Sequence, residues 1–200
     1  MLPALLWIAI GLIAAVLTGM RAQLMLLARM PDGGWLAAAG GLLVGGLVLA
    51  VVLATVFTFR SLRGNLLLLG GVPLLVLIVG GAGIWRFPEH RFKDLQTAVE
   101  WRQLHPTLRL AVWLVAIEDR SMVLTDIART PEGYVGMGLE PQRESRHYVG
   151  EDGYSRAVDL RVSDAGRLRN WARQGLFLLM GVETVRHVGT ADHLHVALPE

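Results

Sequence analysis

The chain contains no cysteine, which excludes disulfides and thiolate metal sites and leaves the redox compartment open. Charge is almost as scarce over the first 85 residues, where Arg21, Arg29, Asp32, Arg60 and Arg63 are the whole set. Histidine is missing there too: all six lie beyond residue 85. From Arg86 onward the sequence carries fifteen Lys/Arg and sixteen Asp/Glu, the density of a water-soluble domain. The net charge of +2 is therefore a positive apolar part plus a nearly neutral polar part. The high pI gives no reason to expect a nucleic-acid partner.

What fills the first part is apolar. Leu2 to Met20, Trp35 to Phe59 and Gly64 to Trp85 are three charge-free runs, each near the ~20 residues that cross a bilayer core as a helix. Three transmembrane helices are expected. The first run lacks the basic n-region of a cleaved signal peptide. Gly41 with Gly45 and Gly46 with Ala50 form small-xxx-small pairs, which serve either packing among the three spans or self-association with membrane partners. With a cytoplasmic N-terminus the C-terminal domain lies outside, although Arg21, Arg29, Arg86, Arg91 and Lys93 then lie outside as well. A plain positive-inside count prefers the opposite topology, unless Arg21 snorkels from the end of a longer first helix.

Beyond the spans, residues 86–104 read as a linker with a short amphipathic helix, Lys93 to Leu104, placing Leu95, Val99 and Trp101 on one side. Pro106 opens a helix to about Ile117 with Leu110, Trp113, Leu114 and Ile117 on its buried stripe. His105 marks that boundary. Ser121 to Ile127 reads as a strand, residues 129–133 as a turn and Glu140 to Glu144 as polar loop. A strand over Ala157 to Val162 carries Asp159. A helix capped by Ser163 or Asp164 then runs to about Leu179, with Leu168, Trp171, Leu176 and Leu179 inward. Glu183 to Val188 and His193 to Leu198 are two further strands, with His187 on the strand surface. Residues 105–200 are thus expected to form an α+β domain, and Trp101, Trp113 and Trp171 are expected as core residues rather than a ligand platform.

His193 and His195, at i and i+2 of a strand, share one face. The earlier segments Ser145-Arg146-His147-Tyr148-Val149-Gly150 and Arg156-Ala157-Val158-Asp159-Leu160 give that pair companions. Together they resemble the zinc-binding core shared by D-alanyl-D-alanine carboxypeptidases and dipeptidases, phage L-alanyl-D-glutamate endolysins and the Hedgehog signalling domain. The shared pattern is Ser-x-His-x-x-Gly-x-Ala-x-Asp with a late His, and the resemblance spans about Pro106 to Pro199. It implies an α+β zinc-peptidase fold in which His147, Asp159 and His195 hold Zn2+. It also implies Asp192 as general base, Arg129 as the arginine that binds or polarises substrate, and Ser145 as a structural or substrate-contacting hydroxyl. His193 or Arg129 would then neutralise the oxyanion. Tyr134 and Tyr148 are candidates to line the cleft, Tyr148 the better one because it adjoins the ligand His147.

The sequence departs from that pattern in three places. Glu151 to Ser155 is inserted between Gly150 and Arg156, and its Asp152 is a rival ligand. Strand alternation sends Asp192 to the face opposite His193 and His195, unless the chain turns at Gly189 and Thr190. Gly189 also stands where the Hedgehog-type acidic residue would be, so the peptidase arrangement fits better. What the resemblance implies is a membrane-anchored zinc metallopeptidase that cuts peptidoglycan stem peptides, at a D,D- or L,D-type bond, outside the bacterial cytoplasmic membrane. The other readings are a non-catalytic zinc-containing cell-wall-binding or assembly protein, and a phage-type lysis protein.

Overall fold

The computed structural model describes residues 2–57, 62–136, 138, 140, 144–163, 165–189 and 192–199. The end of the second apolar run at Phe59, Arg60, most of the Glu140 to Glu144 stretch, Asp164 and Thr190 lie outside the described residues. The chain divides into two compact units, Met1–Ile84 and Trp85–Glu200.

The first unit holds three helices, α1 (Leu2–Arg29), α2 (Gly34–Phe57) and α3 (Leu62–Trp85). All three are long and apolar enough to cross a membrane. The first is longer than its charge-free run, because Arg21 is carried inside the helix, which runs on to end at Arg29. Small residues set the packing within the unit. A Cβ at Gly45 would stand 2.7 Å from the Ala15 carbonyl oxygen, and one at Gly41 2.5 Å from that of Gly19. A Cβ at Gly46 would stand 2.6 Å from the Pro73 Cα of α3. Gly41, Gly45, Gly46 and Ala50 are accordingly buried inside the three-helix unit.

The second unit contains α4 (Leu95–Glu100), α5 (Pro106–Glu118), β1 (Leu124–Asp126), α6 (Pro131–Gly136), β2 (Ala157–Arg161), α7 (Arg167–Met180), β3 (Glu183–His187) and β4 (His193–Ala197). The strands form one antiparallel sheet in the order β1-β2-β4-β3. Its core face carries Val158, Leu160, Leu194 and Val196, all buried. Alternation puts Asp159, Arg161, His193 and His195 on the other face.

Residues 86–104 are packed into this unit. Phe87 stacks on Trp101 at 4.7 Å between ring centres, Arg91 Nη1 donates to the Asp119 carbonyl at 2.8 Å, and the Lys93 amide donates to Leu124 O at 2.8 Å. Helix α4 starts at an Asp94 cap that accepts from the Thr97 amide. It buries Thr97 and Glu100 and leaves Leu95 and Val99 82% and 70% exposed, which reverses the face expected from its sequence. The reason is Glu100, whose carboxylate accepts from the Ala128 amide and from Gln96 and draws the polar side inward. In α5, His105 caps the helix by accepting from Thr107 N, and Pro106 takes its first turn. Leu108, Leu110, Val112 and Val115 face inward, while Trp113 and Leu114 are half-buried and Ile117 is exposed.

Helix α7 corrects the expectation most sharply. It starts at Arg167 from a Gly166 cap with no side-chain hydrogen bond, so Ser163 does not cap it. It ends at Gly181, whose left-handed φ of +87° lets the next amides return to Phe177 and Leu178. Its inward side is Asn170, Arg173, Phe177 and Met180, while Leu168, Trp171, Leu176 and Leu179 are exposed. Buried Arg173 decides this. Its Nε donates to Asp119, and its Nη1 donates to Arg161 O at 2.7 Å and to Asn170 at 3.2 Å. Those bonds can only be satisfied if the arginine side faces in.

Candidate metal centre

Asp159 lies in the central strand β2, directly opposite His195 of β4 in the antiparallel register. Such a cross-strand pair brings its side chains together on one face. His147 arrives from the preceding loop. The Arg129 amide donates to His147 O at 3.0 Å, which ties that loop to the segment following β1.

Three donor atoms converge. His147 Nε2 lies 3.3 Å from Asp159 Oδ1 and 3.3 Å from His195 Nδ1, and His195 Nδ1 lies 2.9 Å from Asp159 Oδ1. Ligands about 2.0–2.1 Å from a tetrahedral zinc would stand about 3.3 Å from one another, so the triangle is close to one face of such a site. The second ring nitrogen of His147 shows why Nε2 has a lone pair to offer. Nδ1 lies 3.0 Å from the Ile127 carbonyl, an acceptor only, so Nδ1 carries the proton. A backbone carbonyl in that position is the usual outer partner of a metal-ligating histidine. His147, Asp159 and His195 could together hold a metal ion.

The surrounding charges serve the carboxylate. Arg129 Nη2 donates to Asp159 Oδ2 at 3.0 Å, leaving Oδ1 to the histidines. Arg129 Nε pairs with Asp126, and its guanidinium lies 5.0 Å from the centre of the Tyr134 ring. Tyr134 Oη and Ser145 Oγ share a hydrogen bond of 2.6 Å, and Ser145 Oγ accepts from the His147 amide at 3.3 Å. Burial would lift the Asp159 pKa, but the His147 and His195 rings beside it outweigh that effect and hold the carboxyl well below the ordinary range. Burial likewise opposes charge on His147, and Asp159 and Asp126 outweigh it, raising that pKa. For Asp126 desolvation prevails and the pKa is raised.

His147 and Asp159 are almost fully buried, whereas the side chains of His193 and His195 keep 24% and 21% exposure, so the cluster opens on their side. His193 Nε2 stands 3.6 Å from Asp159 Oδ2, and its ring stacks on His187 at 4.7 Å. Tyr148 packs edge-on against Tyr134 at 5.8 Å.

Asp192 is placed elsewhere. It forms a bidentate pair with Arg186, both contacts 2.7 Å, and that pair lowers its pKa. Arg186 is in register with Leu194, so Asp192 sits on the Leu194 side of the sheet and the structure does not bring it to the cluster. Asp152 is also engaged elsewhere, accepting from Arg156 Nη2 at 2.6 Å. The inserted loop turns at Gly153 and is fastened to the residues just before α5 by two bonds, Ser155 N to Gln103 O and His105 N to Ser155 O.

Two neighbours of the cluster carry no motif signal. Asp126, 3.7 Å from His147 Nδ1, was legible only as a strand residue three positions before Arg129. The approach of His187 to His193 follows from the β3–β4 register, which pairs them directly. No family model, curated protein or solved structure matches this chain.

Proposed function

We propose that this chain is a membrane-anchored zinc peptidase of the D-alanyl-D-alanine carboxypeptidase and L-alanyl-D-glutamate endolysin type. Its C-terminal unit has the Hedgehog/DD-peptidase-like fold and acts on peptidoglycan stem peptides outside the cytoplasmic membrane. One observation carries the reading: His147 Nε2, Asp159 Oδ1 and His195 Nδ1 converge at metal-ligand spacing beside an arginine. Two neutral imidazoles and a carboxylate are a donor set suited to catalytic zinc.

Zinc bound there would supply Lewis acidity toward a carbonyl and activate water near neutral pH. The residues do the rest. Arg129 holds Asp159 in its ligating orientation and presents positive charge where an oxyanion would develop. Hydrolysis adds the water oxygen to the carbonyl carbon, breaks the C–N bond and delivers a proton to the leaving amine. His193 Nε2, on the open side of the cluster, is the nitrogen placed to carry that proton, because Asp192 is engaged by Arg186.

That engagement favours a second reading, a metal-stabilised module that recognises cell-wall peptide without cutting it. Digestion of purified peptidoglycan by the full-length zinc-loaded protein, read by mass spectrometry, separates the two. New stem-peptide fragments that vanish in His147→Ala, and that drop in His193→Ala more than in Asp192→Ala, support the peptidase. No cleavage by protein carrying stoichiometric zinc sinks it and leaves the recognition module.

A further inference from the structure

The exposed side of α7 is an apolar face that no other element covers among the described residues. At 100° per residue, Leu168, Trp171, Leu176, Leu178 and Leu179 fall within about 160° of one another. Leu168 is 86% and Trp171 71% exposed. The opposite side of the helix is already occupied by Arg173, Asn170, Phe177 and Met180, so this face is not half of an unfinished core. Exposed Arg167 and Arg169 flank it, one on either edge. Beside it runs a groove of about 500 Å³ between the end of α5 and α7, lined by Arg120, Arg169 and Leu176 among others.

We propose that α7 is a membrane-surface helix, its apolar face immersed at the boundary between headgroups and acyl chains of an anionic bilayer. A broad apolar face bordered by arginine and carrying a tryptophan is the composition of helices that lie in this interface. The edge arginines complement anionic headgroups, and Trp171 suits the interfacial depth. Continuity of the chain supplies the surface: the unit bearing α7 begins at Trp85, the last residue of the third apolar helix, so a bilayer is always within reach. A lipid surface also accounts for a cost that a freely tumbling domain would carry, since contiguous apolar patches of this kind are rarely left to water.

The absence of cysteine makes the test direct, because Leu168→Cys, Leu179→Cys or Glu132→Cys each introduces the single thiol of the full-length protein. Each variant is spin-labelled, reconstituted in discs containing phosphatidylglycerol, and its relaxation by oxygen and by a water-soluble nickel chelate is measured. Immersion predicts that labels at 168 and 179 are relaxed by oxygen, with chelate accessibility about tenfold below that at exposed residue 132. Free access of the chelate to 168 and 179 overturns the proposal. So does exclusion of both agents with spin–spin broadening, which would assign the face to a second copy of the chain.

Discussion

His147 donates from Nδ1 to the Ile127 carbonyl, and a backbone acceptor cannot follow the ring if it turns, so Nε2 stays aimed at Asp159 and His195. Asp126 reinforces this arrangement from 3.7 Å and holds Arg129 in place. Outer partners of this sort typically contribute 10- to 100-fold to metal affinity. Asp126→Asn is therefore expected to weaken zinc binding by about 10- to 100-fold, and Asp159→Asn to abolish stoichiometric binding, both measured by calorimetry on the full-length protein. Retention of tight zinc in Asp159→Asn would remove that residue from the ligand set. The donors were legible as residues in a pattern, because His147, Asp159 and His195 fall in the segments that resemble a zinc-binding core. Asp126 was not legible, because its role depends on His147, which a later loop brings into the site.

At the scale of elements, the three apolar helices follow from hydropathy alone, but their spacing follows from glycine. A side chain at residue 45 meets the backbone of α1 rather than the flexible end of a side chain, and a backbone carbonyl cannot rotate away. Gly45→Val should force α1 and α2 apart at a cost of about 1–3 kcal/mol, observed as easier unfolding of the helical unit in detergent. Unchanged stability would show that the two helices do not approach at that point. The amphipathic helices teach the opposite lesson. Periodicity found α4 and α7, yet Leu95, Val99, Leu168 and Trp171 turn outward because Glu100 and Arg173 each have fixed partners inside.

At the scale of the whole second unit, stability at acid pH is tied to His105. Its ring is fully buried, Nδ1 caps α5, and Nε2 has no hydrogen-bond partner among the described residues. Burial, aided by the nearby Arg156 charge, pushes its pKa down from 6.5 to about 4. Below pH 6.5 the unfolded chain takes up a proton that the folded unit refuses, so stability is full above that value and declines as pH falls towards 4. The shift corresponds to about 3 kcal/mol. His105→Asn keeps a cap acceptor without the titrating ring. The difference in stability between wild type and this variant is expected to shift by about that amount between pH 7 and pH 4, measured by denaturant unfolding. A difference that does not change with pH would show that His105 protonates freely in the fold.

The sequence by itself determined the division into an apolar part with three helices long enough to cross a membrane and a polar α+β part, the exclusion of thiol chemistry, and the strand that aligns His193 with His195. These depend on composition and on periodicity between near neighbours, which the chain carries locally. Only the tertiary structure decided that Asp192 pairs with Arg186, that residues 151–155 fold back onto residues 103–105, and that α7 turns its leucines outward. Each of those outcomes is a competition among distant groups for burial and for hydrogen-bond partners. A buried arginine that needs several acceptors at once outweighs the inward preference of an exposed leucine stripe.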